Sequence, residues 1–198
     1  MENTKRKSPK KSSVKDYITL GIIIVLHFVI FTLSTPLGMS PVGNIFVYPA
    51  CALLWGVLFI LLCKKTTKPI IIFLYPFILG LVQIMNFWLT GVIGIVGAIA
   101  TFLIWKTMDK TKFKTIVASY TTMITFMYLG GTLPVIFFKD TFFEIAPAYA
   151  ELYHQVYDIL VGSMFYVGLV ATIACAVIGA FLGKVILKKH FEKSGIMI

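Results

Sequence analysis

The sequence predicts an all-α membrane protein with six transmembrane helices and both termini on the cytoplasmic side. The first observation is composition, since 59% of the 198 residues are hydrophobic, whereas soluble domains are usually about 45–50% apolar. The second is charge: all basic residues except Lys139 fall in four clusters, separated by apolar sequence long enough to cross a bilayer out and back. Basic residues are retained on the cytoplasmic side, which orients the chain. The clusters are Lys5, Arg6, Lys7, Lys10, Lys11 and Lys15; Lys64, Lys65 and Lys68; Lys106, Lys110, Lys112 and Lys114; and Lys184, Lys188, Lys189 and Lys193.

Six apolar segments match the roughly 20 residues that a helix needs to cross the hydrocarbon core. The run from Pro69 to Trp105 is about twice that length, and we divide it near Asn86 to Gly91. The predicted spans are residues 17–34, 45–62, 69–85, 87–105, 115–137 and 161–187, with outer loops at about 35–44, 86–91 and 138–160. We expect residues 1–16 to form a disordered basic cytoplasmic arm and residues 17–198 a single domain in the plasma membrane.

Several function classes are disfavoured by the residue pattern. The net charge of +10 is divided among loops, which predicts attraction to an anionic inner leaflet and not nucleic-acid binding. Known nucleotide-binding and catalytic motifs are absent, and Cys51, Cys63 and Cys175 are too scattered for a zinc site. We therefore expect no enzyme activity, no metal and no cofactor in this chain. The predicted spans also lack carboxylates, lysines and arginines at mid-membrane, which argues against proton-driven or ion-coupled transport.

His27 and a pair of glycines each allow two interpretations. His27 lies in the middle of the first span, where it could bond to a neighbouring helix or contact a ligand. Gly179 and Gly183 form a small-xxx-small pair in the last span. Such pairs let helix backbones approach closely, either within one chain or against a partner helix.

Polar and aromatic side chains collect at the outer ends of the predicted spans. An amide can fix a polar ligand group within an aromatic pocket, although Tyr and Trp at this depth also form interfacial belts. The long connection 138–160 could be a lid or an amphipathic helix on the outer leaflet. We expect substrate contacts from Asn44, Tyr48, Asn86, Trp88, Tyr128, His154 and Tyr157.

Two terminal motifs indicate a family. The strings GAFLGK at 179–184 and LKKHFEKSGI at 187–196 resemble the closing signature of the MptD (Trep_Strep) family of S components of energy-coupling factor (ECF) transporters, and KDYITLG at 15–21 resembles its opening. The resemblance implies an ECF S-component-like bundle that captures a small-molecule substrate outside the cell. The implied partners are a transmembrane scaffold subunit and two cytoplasmic ABC ATPases, which would use the ATP.

The resemblance also implies where a ligand and a partner would bind. In related S components the pocket is built by the outer loops after helices one, three and five and by the outer ends of helices four to six, which are the regions marked above. Many S components carry Ala-x-x-x-Ala in helix one for scaffold contact, whereas this chain has only Gly21 followed by Val25. We expect scaffold docking through Gly21, Val25, Gly179 and Gly183.

The predicted function is that of the substrate-binding subunit of an ATP-powered importer for a vitamin-like or other micronutrient. The aromatic mouth with two amides suits a flat heteroaromatic compound such as a pterin-like molecule, and haem is a further option. An alternative is a stand-alone facilitator or secondary carrier. A second is a membrane enzyme or assembly factor acting on lipid through Glu151, His154 and Asp158, which share one helical face.

Overall fold

The computed structural model of the protein describes residues 13–66, 68–145 and 147–193. Within these ranges the chain is helical and contains no strand. The helices are α1 (Val14–Ser34), α2 (Pro41–Lys65), α3 (Pro69–Gln83), α4 (Trp88–Thr107), α5 (Phe113–Phe137), α6 (Lys139–Ile145), α7 (Ala150–Leu160) and α8 (Met164–Lys193). Most of the predicted basic arm and the last residues of the carboxyl-terminal motif lie outside the described residues.

Five of these helices are long and apolar enough to cross a membrane: α1, α2, α4, α5 and α8. The third apolar helix, α3, has 15 residues and is shorter than a usual crossing of about 20. Each of the six predicted spans coincides with one of these apolar helices. The fold is therefore that of a helical, multi-pass membrane protein.

In two of the predicted outer loops, helix forms outside the predicted spans. Ser40 precedes Pro41, and its hydroxyl accepts a hydrogen bond from the Gly43 backbone N–H at 3.1 Å, which is a favourable start for a helix. Asn44 consequently lies in the first turn of α2, and the predicted boundary at 45 was too late. The connection 138–160 likewise folds into α6 and α7.

The centre of the bundle is the parallel pair α2 and α8. Gly168 lies beside Ile45 at one end, and Gly179 and Gly183 lie beside Ala52 and Gly56 further along. A Cβ atom added at Gly179 would meet the Ala52 carbonyl oxygen and the Leu53 Cα atom. The two backbones are thus in direct contact, as small residues permit between membrane helices.

The loops that carry the basic clusters meet at the end of the bundle opposite α7. Lys68, in the connection between α2 and α3, forms an ion pair with Asp16 of α1 at 2.6 Å. The Lys184 ammonium of α8 lies 4.5 Å from the centre of the Phe113 ring at the start of α5. The first contact joins the first and second basic clusters or their flanking residues, and the second contact joins the third and fourth.

Candidate functional site

The end of the bundle near α7 contains a group of four aromatic side chains, here called the aromatic cluster: Phe31, Tyr48, Tyr128 and Phe165. They come from α1, α2, α5 and α8 in turn. The ring centres of Tyr48 and Tyr128 lie 6.3 Å apart in an edge-to-face arrangement, and the Tyr128 hydroxyl donates to the Phe165 carbonyl oxygen at 2.8 Å. Edge-to-face rings are a favourable packing mode for aromatic side chains, so the cluster joins four helices at one level.

Two glycines provide the space that the tyrosine rings occupy. A Cβ atom at Gly131 of α5 would overlap the Tyr48 ring, and one at Gly168 of α8 would overlap the Tyr128 hydroxyl. The sequence showed both glycines, but it did not show which rings they face. Their role follows only from the helix pairing.

Helix α7 covers this end of the bundle. Its Val156 and Leu160 side chains are buried and belong to the same apolar core as Ile45 and Tyr128, while Glu151, His154, Gln155 and Asp158 are exposed. The helix is amphipathic and its apolar face rests on protein. The segment 138–160 was expected to be either a lid or an amphipathic helix on the outer leaflet. An apolar face that packs on protein is the arrangement expected of a lid.

Beside α7 an open cleft of about 270 Å³ is lined by Ile136, Phe137, Phe138, Lys139, Asp140, Thr141 and Tyr157. The Lys139 ammonium lies 4.8 Å from the centre of the Tyr157 ring. The Trp88 ring packs edge-to-face on Phe138, with 5.7 Å between ring centres. Of the predicted substrate contacts, Tyr157 lines this cleft, and Trp88 contacts one of its lining residues, Phe138.

The other predicted substrate contacts include Asn44, Asn86 and His154, which differ in exposure and in what their side chains contact. The Asn44 amide donates to the Gly38 carbonyl at 3.1 Å, and the exposed Asn86 amide donates to the Gln83 side chain at 2.6 Å. Both amides thus stabilise local turns. His154 is exposed, with its ring centre 4.2 Å from that of Phe143. The structure places Tyr48 beside Tyr128. It also places Tyr157 in the cleft that is lined by Phe138, the residue that Trp88 contacts.

Two of the four predicted docking residues are exposed and two are buried. A Cβ atom at Gly21 would meet nothing within 4 Å, and Val25 is 61% exposed. Gly179 and Gly183 are buried against α2. Their position agrees with packing within the chain. In this conformation neither glycine is exposed to a partner helix.

His27 is buried in a three-helix contact. Its Nδ1 atom lies 2.9 Å from the Tyr75 hydroxyl of α3, and its ring stacks on Trp55 of α2 with 4.0 Å between ring centres. The Trp55 indole N–H donates to the His27 carbonyl oxygen at 3.1 Å. This contact is the bond to a neighbouring helix that one interpretation of His27 predicted, and His27 is not among the residues that line the cleft beside α7.

The importance of Lys139 could not be recognised from the sequence, where it is only the single basic residue outside the four clusters. Its place at the cleft depends on how α6 folds back towards α7. Across residues 13–66, 68–145 and 147–193 no group of three or more His, Cys, Asp or Glu side chains could hold a metal ion.

Comparison with known proteins gives one match that covers nearly the whole chain. The Trep_Strep family model, described as a hypothetical bacterial integral membrane protein, matches residues 14–193. Neither the curated proteins nor the solved structures contain a match. The matched range runs from the first helix to the last, and the chain therefore belongs to the Trep_Strep family of bacterial integral membrane proteins.

Proposed function

We propose that the chain is the substrate-binding S component of an ECF-type ABC importer in the plasma membrane. It captures a vitamin-like or other micronutrient at the outer cleft and delivers it inward by docking on a transmembrane scaffold subunit. Two partner ABC ATPases supply the energy. In this proposal α3 is the third of six crossings, and both termini lie in the cytoplasm.

The distribution of charge supports this orientation. Lys68, Lys184 and their neighbouring basic residues lie at one end of the bundle, whereas α6 and α7 carry four carboxylates at the other. Basic residues favour the cytoplasmic side. The backbone of α3 also touches that of α4 at Gly80 and Gly94, so the short helix is held against one that is long enough to cross.

The observation that carries the proposal is a cleft with aromatic residues in its lining, at the proposed outer end of a bundle whose described interior contains no carboxylate, lysine or arginine. Among the described residues the buried polar side chains are His27, six threonines and one serine, and no carboxylate, lysine or arginine is buried. Ionisable groups inside a membrane are typical of proton- and ion-coupled carriers. A chain without them suits a transporter that draws its energy from partner subunits.

Docking on the scaffold is assigned to the outward face of α1. Besides Gly21 and Val25, this face exposes Ile18, Ile22 and Val29, and α1 is the least buried of the five long apolar helices. Gly179 and Gly183 would contribute indirectly, because they fix α8 against α2. A partner helix could therefore approach α1 without disturbing the central pair.

The experiment that tests the proposal is purification of the tagged chain from its native host in mild detergent, followed by mass spectrometry of co-purifying molecules. We expect two ABC ATPases and a transmembrane scaffold subunit, and a bound small molecule would identify the substrate. A chain that purifies without any nucleotide-binding partner would contradict the proposal.

The second candidate function is that of a stand-alone facilitator, which the same cleft would also serve. It differs in one measurable respect, since it transports without ATPase subunits. Uptake of the identified substrate in cells that lack the partner ATPases would favour the facilitator. The lipid-enzyme alternative has less support, because within the described ranges His154 forms no hydrogen bond to Glu151 or Asp158 and packs on Phe143.

We expect Trp88→Ala to weaken substrate binding without loss of folded protein. Trp88 is 52% exposed, so its removal leaves little cavity, but it supports Phe138 at the cleft wall. An aromatic contact contributes about 0.5–1.5 kcal/mol, which corresponds to a loss of roughly 2- to 13-fold in affinity. Asn86→Ala should have a smaller effect, because its amide is already bonded to Gln83.

The measurement for both variants is the affinity for the co-purified compound, with size-exclusion profiles as the folding control. Lys110→Ala, at the opposite end of the protein, is the matched control and should bind like the wild type. Unchanged affinity in both Trp88→Ala and Asn86→Ala would show that the outer cleft is not the binding site.

A further inference from the structure

Lys139 forms no ion pair with any carboxylate of the described residues. In the described part of the chain the ion pairs are Asp16 with Lys68 and Asp109 with Lys112; Lys139 forms none, although Asp140 is its neighbour in sequence. Its ammonium is held instead near the Tyr157 ring, a cation–π contact that positions the charge without neutralising it. The cleft therefore offers a cation to an anionic ligand.

The walls of the cleft restrict the shape of that ligand. Phe137 and Phe138 are 70% and 39% exposed, and with Tyr157 they are the aromatic residues among those that line the cleft. The volume of about 270 Å³ lies just below the range of about 300–1,000 Å³ for ligand pockets. The cleft therefore has room for a compact molecule, which can contact both the aromatic and the polar residues of its lining.

The surrounding charges restrict the number of negative groups on the ligand. Asp140 lines the cleft, and Glu144, Glu151 and Asp158 are exposed on α6 and α7. Like charges near a binding site oppose association. One carboxylate can pair with Lys139, whereas a phosphate or a second carboxylate would meet repulsion.

We infer that the cleft binds a small planar aromatic compound with a single carboxylate, which pairs with Lys139 while the ring contacts Tyr157 and Phe138. The inference rests on the proposed function only where it makes this compound the transported substrate. The charge-assisted pair should favour the carboxylate over its neutral amide by at least about tenfold.

The test uses nicotinate and nicotinamide as probes, because the two compounds differ in the carboxylate alone. The full chain in lipid nanodiscs is treated with an amine-acetylating reagent, and the acetylation rate of each lysine is followed by mass spectrometry. We expect nicotinate to slow acetylation of Lys139 at a concentration at least about tenfold below that needed with nicotinamide. Lys110 in the same molecule is the internal control and should react at an unchanged rate with both probes.

Two further experiments test whether the aromatic ring of the ligand contributes to binding. Acetate carries the same charge without a ring and should protect Lys139 much less than nicotinate does. Tyr157→Leu should reduce the protection by nicotinate, whereas Tyr166→Leu, an exposed tyrosine of α8 outside the cleft, should not. Equal protection by nicotinate and nicotinamide, protection by neither, or equal protection by acetate would overturn the inference.

This assay needs no partner subunit, so its failure is separable from failure of the proposed function. Protection of Lys139 in a chain that recruits no ATPase would support the ligand class and contradict the importer role. Recruitment of the ATPases without protection would support the importer role and exclude this ligand class.

Discussion

Gly179→Val is expected to abolish folded, monodisperse protein, because α2 and α8 cannot keep their separation with a side chain at this position. The added Cβ atom would overlap the Ala52 carbonyl oxygen and crowd the Leu53 Cα atom. Both are backbone atoms, so rotation of a side chain cannot relieve the overlap. Overpacking a core usually costs about 1–3 kcal/mol, and a shift of the central helix pair should cost at least the upper end of that range.

The measurement is thermal stability and size-exclusion behaviour of the purified variant in detergent. Gly21→Val is the matched control, since the Gly21 position on α1 has open space for a Cβ atom, and it should behave like the wild type. A stable Gly179→Val protein that fails only to recruit the proposed scaffold and ATPase subunits would contradict this prediction and favour a role for Gly179 in docking.

The second large effect is expected for Trp55→Ala, which removes the centre of the contact between α1, α2 and α3. Trp55 is fully buried, stacks on the His27 ring and donates to the His27 carbonyl oxygen. Truncating a buried Trp costs about 3–5 kcal/mol in soluble cores. Because lipid is as apolar as the helix interior, part of that cost is missing here, and we expect roughly 2–4 kcal/mol of destabilisation.

The lowered unfolding temperature of Trp55→Ala, measured without ligand, checks this prediction. Trp88→Ala is the comparison, because it removes the same side chain at a half-exposed position and should leave the unfolding temperature nearly unchanged. An unaltered unfolding temperature in Trp55→Ala would mean that the His27 contact does not hold α1 to the bundle.

The helices were predictable because the bilayer imposes a local rule on the sequence. A crossing needs about 20 apolar residues, and the lysines at 64–68, 106–114 and 184–193 divide the chain at intervals that match. Boundaries were less certain where capping chemistry competes with hydropathy. At Ser40 and Pro41 the cap extends α2 outward past the predicted start.

The candidate site was predictable only in part. Tyr48 and Tyr128 were expected at the outer end, and the structure pairs them. The cleft beside Lys139 was not predicted, because it forms only when α6 and α7 fold back beside α5. Asn44 and Asn86 were expected to be available for a ligand, but their amides are bonded to neighbouring groups.

The sequence by itself determined the number and position of the apolar segments and the separation of basic from acidic ends. Both follow from transfer between water and lipid, which acts on each segment independently. Only the tertiary structure decided that α2 runs beside α8, that His27 bonds to Tyr75, and that Lys139 lies at an aromatic cleft. Hydropathy cannot specify these pairings, because lipid and a neighbouring helix are equally apolar and the choice depends on close packing and a few polar contacts.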